Sequence, residues 1–238
     1  MATQPSFLSK YWWKITGAAL VSYSIVMGFL GEVPRLPILH ETIRNLYFHV
    51  TMWFSMIFVL GGSAFYSIKY LSSGSVYDDM RAEHLASSGI LLGILGIVTG
   101  SVWARFTWGG WWANDPKLNG AAISLLIYFA YVILRNSMDE EQKRARVAAV
   151  YNIFSFVLLI VFLMVYPRLN QVDSLHPGNG GNPAFSSYDL DKNMRLVFYP
   201  AVAGWIMIGL WIADLSFRVA KLKYQKLMND NKINLSSN

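Results

Sequence analysis

The chain contains no cysteine, so it forms no disulfide, offers no thiolate to a metal and carries no cofactor through a thioether bond. Charge is also scarce: Asp, Glu, Lys and Arg make up 14% of 238 residues, against about 25% in an ordinary soluble domain. With 54% of its residues hydrophobic, the chain belongs in a bilayer. It lacks a glycine-rich nucleotide loop, a nucleophile motif and a pair of carboxylates within a span, which argues against an ATPase or a hydrolase. Internal repeats and a second domain are missing too, so residues 1–238 read as a single integral membrane domain.

Six apolar stretches, near 13–31, 46–69, 85–103, 118–135, 147–166 and 196–217, have the length a helix needs to cross a hydrocarbon core of about 30 Å. The first follows Lys10 and Lys14 and could pass for a secretory signal. Its apolar core exceeds the usual ~7–15 residues, and no small-x-small cleavage site precedes Glu32, so it is read as a helix. The expected fold is all-α, a polytopic membrane bundle of six transmembrane helices.

Thirteen of the twenty Lys and Arg residues fall on one set of termini and loops: Lys10, Lys14, Lys69, Arg81, Arg135, Lys143, Arg144, Arg146 and the basic tail over 218–238. The other set holds Arg35, Arg44, Arg105, Lys117, Arg168, Lys192 and Arg195. The positive-inside rule then predicts both termini in the cytoplasm. Most of the +6 net charge is a topogenic signal, and nucleic-acid binding is the poorer reading of a pI near 9.4. The run 138–146 is a solvated connection, and the tail from Lys221 onward is expected to fray at its end.

On the opposite, outer side, Trp103-Ala-Arg-Phe-Thr-Trp-Gly-Gly-Trp-Trp-Ala-Asn-Asp-Pro-Lys-Leu118 gathers four of the nine tryptophans. Trp suits a wet boundary, because indole combines a large apolar plane with one N–H donor. One or two would serve as interfacial anchors. Trp108, Trp111 and Trp112, set among two glycines and an Asp-Pro step, read instead as a stacking platform. Asp115 before Pro116 is an N-cap with proline at the first helical position, which would fix this loop relative to the fourth helix. The other long outer loop, 168–195, has a Pro-Gly-Asn-Gly-Gly-Asn-Pro core at 177–183 that is incompatible with regular helix or strand.

Of four histidines, three lie on the tryptophan side: His40 and His176 in loops, and His49 four residues into the second helix. An ionisable residue inside a span is by default a functional candidate. His84, at the inner start of helix three, is not on that side. Two imidazoles, a wall of indoles and a few cations at a membrane surface fit the parts of haem: an iron that takes axial imidazole, a flat apolar macrocycle and two propionates that want Arg or Lys. His49 and His176 are the expected axial pair, with His40 and His84 dispensable. Arg44 stands about one turn before His49, and Arg105 and Lys117 flank the tryptophans; each is a propionate candidate or, equally, a headgroup cation.

Trp108-Gly-Gly-Trp-Trp-Ala-Asn-Asp-Pro-Lys-Leu118, preceded by Trp103-Ala104, resembles the tryptophan-rich "WWD" segment of the cytochrome c assembly, haem-handling membrane proteins. The six-span layout and the flanking Tyr47-Phe-His49-Val and Leu175-His176-Pro177 resemble the heme exporter protein C branch. Two positions depart from that pattern: Asn114 where many members have Trp, and Lys117 where they often have Arg. The resemblance implies a multi-pass protein of the bacterial inner membrane that binds b-type haem non-covalently and transiently at its outer, periplasmic face. It implies delivery to a periplasmic haem chaperone, with ATP-binding-cassette haem export subunits as partners, and a binding and transfer role in place of enzymatic catalysis. The alternatives are a small-molecule membrane transporter and a haem b electron-transfer subunit. The second would usually set both axial histidines on facing helices, whereas His176 falls in a Gly/Pro loop. Asp214, near the inner end of helix six, is expected to pair with Arg218 one turn on.

Overall fold

The computed structural model describes residues 7–35, 39–169, 174–176 and 190–236. Six helices long and apolar enough to cross a bilayer account for most of them, and the protein is an all-α polytopic membrane protein. α1 spans Phe7–Leu30, α2 Leu46–Ser73, α3 Val76–Trp108, α4 Pro116–Asn136, α5 Glu141–Ile160 and α6 Lys192–Ser236. A 3-10 turn, His40–Asn45, leads into α2, and α5 runs on through a π segment, Val161–Val165, into a 3-10 turn, Tyr166–Arg168.

α2 is the centre of the bundle, packed on α3, α5 and α6. Its buried stripe Met52, Met56, Val59 and Leu60 meets Leu92 of α3, Leu125 and Tyr128 of α4 and Leu159 of α5 in one apolar core. Lipid chains are as apolar as these side chains, so close packing holds the helices together more than water exclusion does. Small residues supply that closeness: a Cβ on Gly89 or Gly93 of α3 would strike Leu60 or Leu125 and Met56. On α6, Pro200 has no N–H to give the Leu196 carbonyl one turn back. Tyr23 of α1 donates to that carbonyl at 3.4 Å. Lys14 of α1 reaches Asp214 of α6 at 3.4 Å with Trp13 and Trp211 beneath it, and Arg218 pairs with the same Asp214 at 2.9 Å, as expected.

Three differences from the sequence reading concern the basic end of the bundle. α3 begins at Val76, well before the expected span, because Asp78 and Asp79 favour a helix N-terminus and both find cations. Asp78 takes Lys69 at 3.0 Å, and Asp79 takes Arg135 through two bonds of 2.8 and 2.6 Å. Arg135, read as a loop cation, is buried in the last turn of α4 and also holds Glu83 at 2.9 Å. Asp79 and Glu83, one turn apart, thus form a carboxylate pair at the start of a span, clamped by one guanidinium. The third difference is the tail: α6 continues as helix to Ser236, well past the expected end of its span near 217.

Candidate functional site

At the tryptophan end, Asn45 donates to the Thr99 carbonyl at 2.8 Å and pins the start of α2 against α3. One turn on, the His49 ring points into that interface with Nδ1 2.9 Å from the Gly96 carbonyl. A carbonyl only accepts, so Nδ1 carries the proton and Nε2 keeps its lone pair. Two glycines make room: a Cβ on Gly100 would collide with the His49 ring, and one on Gly96 would lie 2.9 Å from Trp53. Trp53 and Trp103 meet the imidazole edge to face, at centroid distances of 6.2 and 5.8 Å. Trp103 is itself fixed by a 3.1 Å bond from its indole N–H to Thr42.

α3 ends at Trp108 because Gly109 adopts φ 79°, a left-handed conformation that costs glycine nothing. The chain then crosses to Asp115, whose extended backbone and carboxylate cap α4: Oδ1 accepts from Lys117 N at 2.8 Å and Leu118 N at 3.3 Å, with Pro116 at the first helical position. The expected cap is present, and it is also more than a cap. Oδ1 accepts from His176 Nδ1 at 3.0 Å, while Oδ2 accepts from Ser174 Oγ at 2.7 Å and Leu175 N at 2.6 Å. A single carboxylate, 1% exposed, therefore joins the tryptophan loop to the segment carrying the second histidine. Burial pushes the Asp115 carboxyl up, but the bonds from His176, Ser174 and Leu175 outweigh it and hold the group well below the usual carboxylate range. The same contact fixes the His176 tautomer, with Nδ1–H donating and Nε2 left as the acceptor. Trp108 lies against this ring at 5.2 Å, edge to face.

The structure thus gathers His176, Trp108 and Asp115, and α3 carries the Trp103 that meets His49 five residues before the Trp108 that meets His176. Trp111 and Trp112 are 61% and 45% exposed, and Trp112 donates to Asn119 at 3.3 Å. Asn119 also donates to Asn114 at 2.8 Å, so one side chain on α4 ties down two loop residues. Arg44 is engaged: it pairs with Glu41 at 2.7 Å and donates to the Gly28 and Gly31 carbonyls. Arg105 donates to the Gly109 carbonyl. Lys117 is half-buried, one residue beyond Pro116. His40 is exposed, and His84 lies toward the opposite end, in the third turn of α3. The 177–183 segment lies outside the described residues. Sequence reasoning missed Trp53, Asn119 and Ser174, and counted Trp103 in the tryptophan cluster without its contact to His49. For the His49 pocket a signal existed: Gly96 and Gly100, four apart, are the spacing that lets a second helix approach.

Residues 4–230 match the family model described as "Heme exporter protein C". The chain is 25% identical over 210 residues to the Heme exporter protein C of Paracoccus denitrificans, covering 83% of this chain and 80% of that one. It is 31% identical over 119 residues to the Heme exporter protein C of Bradyrhizobium diazoefficiens, covering 50% of this chain and 45% of that one. Over 77 residues it is 42% identical to the Cytochrome c biogenesis protein CcsA of Prochlorococcus marinus strain SARG, or 32% of this chain and 24% of that one. The chain spans only about a quarter to two-fifths of the length of such CcsA relatives. With one family model matched over nearly its whole length, the chain belongs to the Heme exporter protein C family.

Proposed function

We propose that this protein handles haem in cytochrome c maturation: it binds b-type haem at the tryptophan end of the bundle and delivers it to a periplasmic haem chaperone. One observation carries the reading. Each of two imidazoles at this end of the bundle has Nδ1 committed to an oxygen, the Gly96 carbonyl for His49 and the Asp115 carboxylate for His176. Ligating histidines are held in this way, because the outer bond fixes the ring and raises the basicity of the free nitrogen. Both Nε2 atoms are then suited to axial ligation of iron, and Trp108, Trp111 and Trp112 offer aromatic surface for the macrocycle.

The two proposed ligands are held in different ways. His49 is gripped between α2 and α3, with glycine backbone on one side and two indoles at its edges. His176 is held through its own Nδ1, Ser174 and Leu175 on the Asp115 carboxylate. With no cysteine in the chain, no thioether bond can hold the haem, which on this proposal is bound non-covalently as cargo. Arg44 and Lys117 remain the propionate candidates, Arg44 being bound to Glu41 and to α1 carbonyls in this structure. The Lys/Arg bias supports an inner-membrane orientation with both termini cytoplasmic and the site periplasmic. ATP-binding-cassette haem export subunits complete the proposed assembly, and the chain itself binds and transfers in place of catalysing.

The test is the absorption spectrum of the detergent-purified protein with and without added haem. The expected result is a low-spin bis-imidazole spectrum that is lost in the His49→Ala, His176→Ala double variant and kept in His40→Ala. A full low-spin spectrum in the double variant would remove the proposal.

A further inference from the structure

At the opposite end of the bundle a groove runs between α3 and α6, and none of its residues serves the haem reading. α6 is 45 residues long, about twice the ~20 that cross a hydrocarbon core. Beyond the expected end of its span the helix carries Arg218, Lys221, Lys223, Lys226 and Lys232 against one acidic residue, Asp230. The groove lies where the apolar part gives way to the basic part. Its volume is about 420 Å³, and it is lined by Leu215, Ser216, Val219, Ala220 and Lys223 of α6 with His84 of α3 opposite.

Three of these residues set its character. Leu215, Val219 and Lys223 follow one another at intervals of four, so they line one face and turn from apolar to cationic along the helix axis. Leu215 and Val219 are about half exposed, at 49% and 53%, and Ser216 and Ala220 leave the floor beside them low. Neighbouring cations are committed elsewhere: Arg218 to Asp214 at 2.9 Å, Lys221 over the Tyr77 ring at 5.3 Å, and Arg81 over the Phe217 ring at 4.8 Å with a 3.0 Å bond to the Tyr66 hydroxyl. Lys223 is exposed and has no carboxylate partner among the described residues.

We infer that this groove is a binding site for one anionic phospholipid, with an acyl chain along Leu215 and Val219 and the phosphate between Lys223 and the His84 imidazole. A free anion would gain nothing from the apolar half, and a wholly apolar ligand would leave Lys223 unused. Only an amphiphile with a negative head matches both ends of the groove. Basic pockets between spans at the membrane boundary bind such heads by the same balance of charge and apolar contact, and the volume falls within the ~300–1,000 Å³ of ordinary small-ligand sites.

Native mass spectrometry of the full chain in detergent, titrated with phosphatidylglycerol or with phosphatidylcholine of identical chains, tests this. Phosphatidylglycerol should be retained preferentially. Lys223→Gln should weaken its retention by about five-fold, the worth of one basic side chain at an anionic surface, and His84→Gln should weaken it less, since the amide still donates a hydrogen bond. Ala220→Leu, which fills the groove without changing charge, should also reduce retention, while Lys226→Gln should leave it unchanged. Equal retention of the two lipids would overturn the inference. So would equal losses in Lys223→Gln and Lys226→Gln, which would mean a general surface attraction, or full retention in Ala220→Leu, which would put the lipid elsewhere. Displacement of bound lipid by millimolar inorganic phosphate alone would overturn it in favour of a free-anion site.

Discussion

Replacing Asp115 by Asn separates the two tasks of that carboxylate. Asn caps helices as well as Asp does, so an amide oxygen in place of Oδ1 still accepts from Lys117 N and Leu118 N, and α4 starts where it did. The amide nitrogen then takes the place of Oδ2, 2.6 Å from the Leu175 N–H, and donor meets donor. That bond is lost, at about 1.5–3 kcal/mol for a bond to a charged acceptor. The bond from His176 Nδ1 survives but loses its charge assistance, which roughly halves it. Losing the group that holds a ligating histidine lowers affinity for the ligated metal by about 10- to 100-fold, or ~1.4–2.7 kcal/mol. A haem titration followed by absorption should show that fall in Asp115→Asn, while the thermal midpoint of the same preparation falls less than that of Asp115→Ala, because the cap on α4 is kept. Asp115→Ala should lose the affinity and the cap together, with a further ~0.5–2 kcal/mol of stability. An Asp115→Asn protein with wild-type haem affinity and spectrum would refute the idea that Asp115 orients His176. One as destabilised as Asp115→Ala would refute the separation of roles.

Gly100→Ala should disturb the site without touching a ligand: the gain in helix propensity of up to ~1 kcal/mol is outweighed by ~1–3 kcal/mol of overpacking against His49, and an unaltered haem spectrum would show that the ring has room to move. Trp108→Phe should weaken haem binding or its transfer by about 0.5–1.5 kcal/mol if the indole is part of a platform, and a Trp108, Trp111, Trp112 series with normal titration and transfer would leave only an anchoring role. Cysteines placed at Asn114 and Gln142, both exposed in a chain that has none, should differ in intact cells, an impermeant maleimide labelling the first; labelling of the second alone would reverse the orientation. The depressed Asp115 carboxyl contributes stability that is present above the ordinary value of 3.8 and is lost as pH falls through the lower folded value. Hydrogen-exchange protection at Leu175, measured relative to Asp115→Asn at each pH, should therefore hold from pH 7 to about 4 and decline below that; its disappearance by pH 5 would contradict the assignment.

Class and layout could be read directly from the residues. Six apolar runs of spanning length, almost no charge within them and a clustered set of tryptophans beside Asp-Pro leave one fold class, because a bilayer demands that each segment satisfy its own backbone. Asp115 as a cap was equally legible, since a cap is a contact between residues two and three apart in the chain. What tertiary structure decided is who holds the histidines. His176 finds Asp115 across 61 residues, His49 finds the Gly96 carbonyl across 47, and Arg135 finds Asp79 across 56. Hydropathy gives no register between helices, so the same letters that read as a capping carboxylate and a loop arginine became the brace of a candidate ligand and the clamp of a buried ion pair. Buried donors and acceptors must find partners in a low-dielectric interior, and which partner stands at the right height is fixed only when the helices have packed.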